Sequence, residues 1–254
     1  MYLRSETLNF TFIPNFIPPK LANVLTECCS RLPWPASQDT RRSNLLFSDP
    51  GLVYRVQYRR QEHRRDCRPW SDFPGLEELK QLVEAETSTD YNCCSVMRYP
   101  PGIGIKQHRD REMVPGTTIA GISLGASRIF RLHPPTFDST ECIDTDVSSG
   151  SLYVMAPPTN RWWTHEIVAE LPSTTPSTNC PSDQSEPSIR FSLTFRNAPD
   201  TTLSLSTTLA PAPPDLPLCA GTTKSGPSGI RADIEVAIWN QESPDVVATD
   251  TNRQ

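Results

Sequence analysis

Cys94-Ser95-Val96-Met97-Arg98-Tyr99-Pro100-Pro101-Gly102-Ile103-Gly104-Ile105-Lys106-Gln107-His108-Arg109-Asp110 decides the fold. It reads as a strand, a Pro-Pro-Gly turn and a second strand that runs into charged residues. Five more segments of the same kind follow. They are Thr118–Leu124, Arg128–Leu132, Ser151–Met155, Trp162–Ile167 and Ile189–Phe195, separated by Gly, Pro and Asp turns. Seven short strands without helices between them predict an all-β sandwich or jelly roll. Thr136–Gly150 and the Ser/Thr/Pro-rich Leu171–Pro187 read as loops that interrupt it.

Flanking segments are of another character. Near the start, Leu8, Phe10 and Phe12 alternate as in a strand, and Leu21, Val24, Leu25 and Cys28 recur at helical spacing after Pro18-Pro19. A strand is expected over Leu52–Tyr58, and a helix after Pro74 with Leu76, Leu79, Leu82 and Val83 on one face. The stretch Ala198–Gln254 is dominated by Thr, Ser, Pro and Ala and is expected to be disordered, apart from the alternating Ile234–Trp239. The chain therefore divides into a 1–90 extension, a 91–197 β core and a 198–254 tail.

Composition narrows the class. Of 254 residues 26 are proline, about twice the usual ~5%, which argues against a mainly helical protein. No apolar run approaches the ~18–20 residues of a membrane span, and the first residues lack the charged and apolar regions of a secretory signal. The eight cysteines form no C-x-x-C pair, which removes zinc ribbons and thioredoxin-type sites. Reduced thiols in an intracellular protein, cytoplasmic or nuclear, are expected. The net charge of −5 gives no global attraction for nucleic acid. Locally the balance reverses: Arg41–Arg68 holds eight arginines against Asp49, Glu62 and Asp66, a net of +5. Such a stripe can neutralise phosphates.

The chemistry sits on the strands. His108 and Asp110 form His-x-Asp at a strand end, and His165 lies on a later strand. Two imidazoles and one carboxylate on a β scaffold are the facial triad of non-haem iron(II) oxygenases, which leaves positions open for cosubstrate and oxygen. In Arg190-Phe191-Ser192-Leu193-Thr194-Phe195-Arg196, alternation puts Arg190, Ser192, Thr194 and Arg196 on one face. An arginine in an apolar strand needs a buried anion, and its planar fork suits a carboxylate.

These elements occur in one order: Met97–Gly102, His108–Glu112, Ile122–Phe130, Gly150–Met155, Arg161–His165 and Arg190–Arg196. In that order, over roughly Trp70–Arg196, the chain resembles the AlkB family of iron(II)- and 2-oxoglutarate-dependent dioxygenases. The resemblance implies a double-stranded β-helix (jelly roll) with a few flanking helices. It implies Fe(II) on His108, Asp110 and His165, 2-oxoglutarate gripped by Tyr99 and Arg190, O2 as co-reactant, and Arg196 closing the site. Ser123-Leu124-Gly125 would be core strand and turn. Glu112 matches a position where an acid contacts the substrate base.

The implied reaction is oxidative demethylation of N-alkylated bases in methylated DNA or RNA by a monomer that does not engage membranes. Arg59, Arg60 and Tyr58 are expected on the substrate side, with Tyr54 or Trp70 as further stacking candidates; Trp70 reads better as packing. One departure stands out: the family usually has Asn-x-Tyr, and here the first position is Met97, which cannot donate to a carboxylate. Two rival readings share part of this site. One is a 2-oxoglutarate oxygenase acting on protein or lipid, and the other is a non-catalytic binding protein with a degenerate site.

Overall fold

A computed structural model describes residues 1–35, 41–58, 61–135, 141–169 and 189–199. Its strands are β1 (Tyr2–Arg4), β2 (Asn9–Ile13), β3 (Ser43–Ser48), β4 (Tyr54–Tyr58), β5 (Gln61–Arg65), β6 (Arg68–Pro69), β7 (Cys93–Tyr99) and β8 (Ile105–His108). They continue as β9 (Ile119–Gly125), β10 (Arg128–His133), β11 (Ile143–Val147), β12 (Leu152–Met155), β13 (Thr164–Ile167) and β14 (Arg190–Arg196). The helices are α1 (Pro19–Arg31), α2 (Leu76–Thr87) and the single turn α3 (Thr159–Trp162).

Two sheets face each other as a jelly roll. The larger has the order β1-β2-β12-β9-β14-β7-β3-β6 and the smaller β11-β10-β13-β8; β4 and β5 form a separate hairpin. Alternation along β14 assigns its two faces. Phe191, Leu193 and Phe195 pack in a core with Leu21 and Leu25 of α1 and Leu79 and Val83 of α2. Arg190, Ser192, Thr194 and Arg196 therefore face the space between the sheets. That interior is lined by a second core, which includes Phe10, Tyr99, Ile119 and Tyr153 from the larger sheet and Phe130, Leu132 and Ile167 from the smaller.

Both expected helices form. α1 starts on Pro19, where the missing N–H costs nothing, and α2 starts after Gly75, whose φ of 78° is open to glycine. The first ninety residues are built into the core sheet: β2 pairs with β12 and β3 with β7.

Three expectations change. The Thr136–Gly150 segment is not all loop, because Ile143–Val147 pairs with β10 and turns Thr145 and Val147 inward. The strand expected from Leu52 begins at Tyr54, beyond the turn at Pro50-Gly51. Trp162 belongs to α3 and not to the following strand; the Thr159 hydroxyl, which donates to Asn9 O at 2.9 Å, ties this turn to β2.

The Leu171–Pro187 loop, Ile234–Trp239 and nearly all of the 198–254 tail lie outside the described residues, as do Arg59 and Arg60. Among the described residues no cysteine is in a disulfide, and Cys28, Cys29, Cys93 and Cys94 are buried. No described helix is long and apolar enough to cross a membrane.

Candidate metal and cosubstrate site

β8 and β13 are neighbours, and their register pairs His108 with His165, ring centroids 4.4 Å apart. Asp110 follows where the chain leaves β8, with Oδ1 3.6 Å from His108 Nε2. One ligand atom from each of the three residues lies within 4.8 Å of the others. Among the described residues this is the one such group of His, Cys, Asp and Glu side chains. Donors at that separation can surround a single metal ion from one side.

Each donor is prepared for that task. His108 Nδ1 lies 2.8 Å from the Lys106 carbonyl, a contact that requires Nδ1–H and makes Nε2 the nitrogen available to a metal. His165 stacks on Phe130 at 5.4 Å and 15°. Burial lowers its pKa to about 4 against the opposing pull of Asp110, so the imidazole is neutral. Its Nδ1 is buried without a hydrogen-bond partner. Burial alone would raise the Asp110 carboxyl, but Arg196, then His165 and His108, outweigh it and hold it below the usual carboxylate range. Asp110 Oδ2 is 3.0 Å from Arg196 Nη2, at an angle that makes an ion pair but not a hydrogen bond, so the oxygen retains acceptor capacity.

Asn160 of α3 fixes the backbone of this loop. Its Oδ1 accepts from the Asp110 N–H at 3.1 Å, and its Nδ2 donates to the Asp110 carbonyl at 2.8 Å.

Arg190 is fully buried. Its Nε donates to Ser123 Oγ at 3.0 Å, and Ser123 in turn donates to the Val147 carbonyl at 3.0 Å. The guanidinium lies over the Tyr99 ring, 5.0 Å from its centroid. Nη1 and Nη2 are buried with no hydrogen-bond partner. Burial pulls the Arg190 pKa down, while Tyr99 and then Tyr153 oppose it. A buried guanidinium with two open donors is costly alone and suits a carboxylate in two-point contact. The donor set thus fits both a divalent iron and a 2-oxo dicarboxylate.

Tyr99 sits opposite Arg190 in the sheet, and its hydroxyl donates to Met97 Sδ at 3.5 Å. Arg196 joins two parts of the molecule: Nη2 meets Asp110, and Nη1 donates to Tyr54 Oη at 3.3 Å. Tyr54 is consequently buried inside, its phenol pushed up to about 12 by burial against the pull of Arg196, and it cannot stack on a base. Trp70 is buried as well, donating to Asp49 Oδ1 at 2.8 Å.

Tyr54 opens the β4–β5 hairpin, and Tyr58 ends β4 opposite Gln61. Arg64 and Arg65 of β5, with Asp66 and Arg68 just beyond it, line a groove of about 510 Å³ together with Asn44, Leu45 and Leu46 of β3. Glu112 is partly exposed two residues beyond Asp110, and Asp110 itself forms part of the wall of a neighbouring cavity of about 670 Å³.

The sequence reading took Ser123 as core strand without its bond to Arg190, and passed over Asn160. A serine inside the apolar run Ile119–Leu124 was a signal for the first; nothing local marks the second.

The profile of the 2OG-Fe(II) oxygenase superfamily matches residues 9–196. The chain belongs to that superfamily, and the Fe(II) and 2-oxoglutarate in its name are the groups that this donor set fits. The mouse protein named DNA oxidative demethylase ALKBH2 is 34% identical over 136 residues, 50% of this chain and 54% of that protein. Human alpha-ketoglutarate-dependent dioxygenase alkB homolog 3 is 26% identical over 182 residues, covering 65% and 62%. The chain spans about half the length of the ALKBH2 relatives. The solved structure of OsALKBH1 superposes with a TM-score of 0.51 at 15% identity, over 78% of this chain and 99% of that one, a likeness of fold.

Proposed function

We propose that this chain oxidatively demethylates N-alkylated nucleobases in DNA or RNA. In this reading His108, Asp110 and His165 hold iron(II), Tyr99 and Arg190 grip 2-oxoglutarate, and Arg196 closes the site. The supporting observation is the chain of contacts Asp110–Arg196–Tyr54, which ties the triad directly to the Arg-rich hairpin. A substrate backbone held along Arg64, Arg65 and Arg68 would then lie next to the site. The division of labour is a 1–90 segment for substrate and a 91–197 core for chemistry.

When bound, iron(II) with 2-oxoglutarate and O2 supplies the oxidant that hydroxylates an N-methyl carbon, giving succinate and CO2; the hydroxymethyl product breaks down to formaldehyde and the free base. The residues do the rest. Arg190 neutralises the distal carboxylate, and Ser123 fixes Nε so that the guanidinium plane keeps its angle. Arg196 keeps Asp110 ionised, and burial keeps His165 neutral. Phe130, Ile119 and Met113 keep the interior dry. A base in a duplex must first be extruded, at a cost of a few kcal/mol, which favours damaged or single-stranded substrate. In this reading Glu112 would contact that base, and Tyr58, Arg59 and Arg60 would serve the substrate.

An oxygenase of protein or lipid would use the same cofactor residues, and the overall charge of −5 favours it. Mass spectrometry of methylated single- and double-stranded DNA and RNA, after incubation with protein, iron(II), ascorbate and 2-oxoglutarate, separates the readings. Loss of methyl from at least one oligonucleotide is expected. Succinate formation with every oligonucleotide unchanged would move the assignment to another substrate, and no succinate at all would leave a degenerate site.

A further inference from the structure

Tyr153 reaches into the interior between the two arginines. In β12 it pairs with Gly121, which pairs with Thr194, which pairs with Ser95. This row crosses the interior face of the larger sheet. Arg196 lies one step beyond it on β14, and the row of Met97, Ser192 and Ser123 lies one step before, followed by Tyr99 and Arg190.

Gly121 explains where the phenol goes. A Cβ there would overlap Cζ, Cε1 and Oη of Tyr153, so the hydroxyl end of the ring lies over the glycine, directed across β9 toward β14. Room for this ring is a sufficient reason for glycine at 121. The ring is held from the other side by Phe130, 4.6 Å away, which itself stacks on His165. Tyr153 is buried and acts on the charge of Arg190, Arg196 and Tyr99 together.

One donor of this pocket is missing. Met97 stands where the family usually has asparagine, and a thioether cannot donate. We propose that Tyr153 Oη donates a hydrogen bond to bound 2-oxoglutarate in place of the side-chain amide missing at Met97, and that Gly121 is small to admit it. This rests on the reading that Arg190 and the triad hold the cosubstrate.

The test is calorimetric titration of 2-oxoglutarate into Mn(II)-loaded protein without oxygen turnover. Tyr153→Phe keeps the ring and its packing and removes only the hydroxyl. It should weaken 2-oxoglutarate about 10-fold or more, the loss of one hydrogen bond to a charged group, while Mn(II) affinity and Tm stay near wild type. Met97→Asn should restore most of that affinity in the Tyr153→Phe protein and add little to wild type, a coupling that a purely packing role does not produce. Wild-type affinity in Tyr153→Phe, or equal gains from Met97→Asn in both backgrounds, overturns the proposal. Failure of wild type itself to bind 2-oxoglutarate, or binding undiminished by Arg190→Met, overturns instead the reading beneath it.

Discussion

Arg190→Met should raise stability and destroy cosubstrate binding at once. In the cosubstrate-free protein Arg190 is fully buried, and Nη1 and Nη2 have no partner. Replacing buried charge by an apolar side chain of similar length stabilises by about 1–4 kcal/mol. Against this stand the Nε–Ser123 hydrogen bond, worth about 1 kcal/mol, and the contact with the Tyr99 ring, worth about 0.5–1 kcal/mol. A net change of about −1 to +2.5 kcal/mol remains, centred on a gain a little under 1 kcal/mol, which raises Tm by roughly 2–3 °C for a domain of this size. Binding moves the other way: two charge-assisted hydrogen bonds at about 1.5–3 kcal/mol each disappear, a weakening of at least about 100-fold. Arg190→Lys retains charge without the fork and should lose roughly 1–3 kcal/mol of binding. Scanning calorimetry of metal-free protein and titration of 2-oxoglutarate into the Mn(II) form read the two effects. A lower Tm with intact binding would show that Arg190 serves an internal structural partner, and the cosubstrate assignment would fall.

Three further outcomes are expected. The folded pKa of His165, about 4, lies below the 6.5 of a free imidazole, so unfolded chain takes up a proton that the fold refuses. Stability of the metal-free protein should therefore be complete above about pH 6.5 and fall by about 3 kcal/mol as pH drops to about 4; His165→Gln should flatten this limb in urea titrations across that range. His108→Ala and Asp110→Ala should abolish Mn(II) binding, read by electron paramagnetic resonance, with little change in far-UV circular dichroism, because neither carries a sheet core. Replacing Arg64, Arg65 and Arg68 by Ala should flatten the salt dependence of oligonucleotide binding by about 0.7–0.9 log units for each phosphate no longer neutralised. A slope equal to wild type would leave that groove without a nucleic-acid role.

What the sequence disclosed follows from alternation. β14 was legible because Arg190, Ser192, Thr194 and Arg196 interleave with Phe191, Leu193 and Phe195, and the structure assigns those faces to the interior and the helix layer. β11 was not legible, since Ile143-Asp144-Thr145-Asp146-Val147 carries outward aspartates that read as loop until β10 is there to pair with it. Tyr54 looked like a stacking residue because its partner Arg196 lies 142 residues away, an interaction no local pattern encodes. The same holds for Asn160 on Asp110, and for the Tyr153 ring over Gly121, where an unremarkable glycine in a strand matters only once its neighbour is known.

The most direct measurement is the product balance on a methylated single-stranded oligonucleotide with iron(II), 2-oxoglutarate and O2. Succinate and formaldehyde should appear in equal amounts together with unmethylated base, and all three should vanish in Asp110→Ala. Succinate that continues to form in Asp110→Ala, or formaldehyde absent while wild type consumes 2-oxoglutarate in the presence of every methylated DNA and RNA offered, would contradict the account.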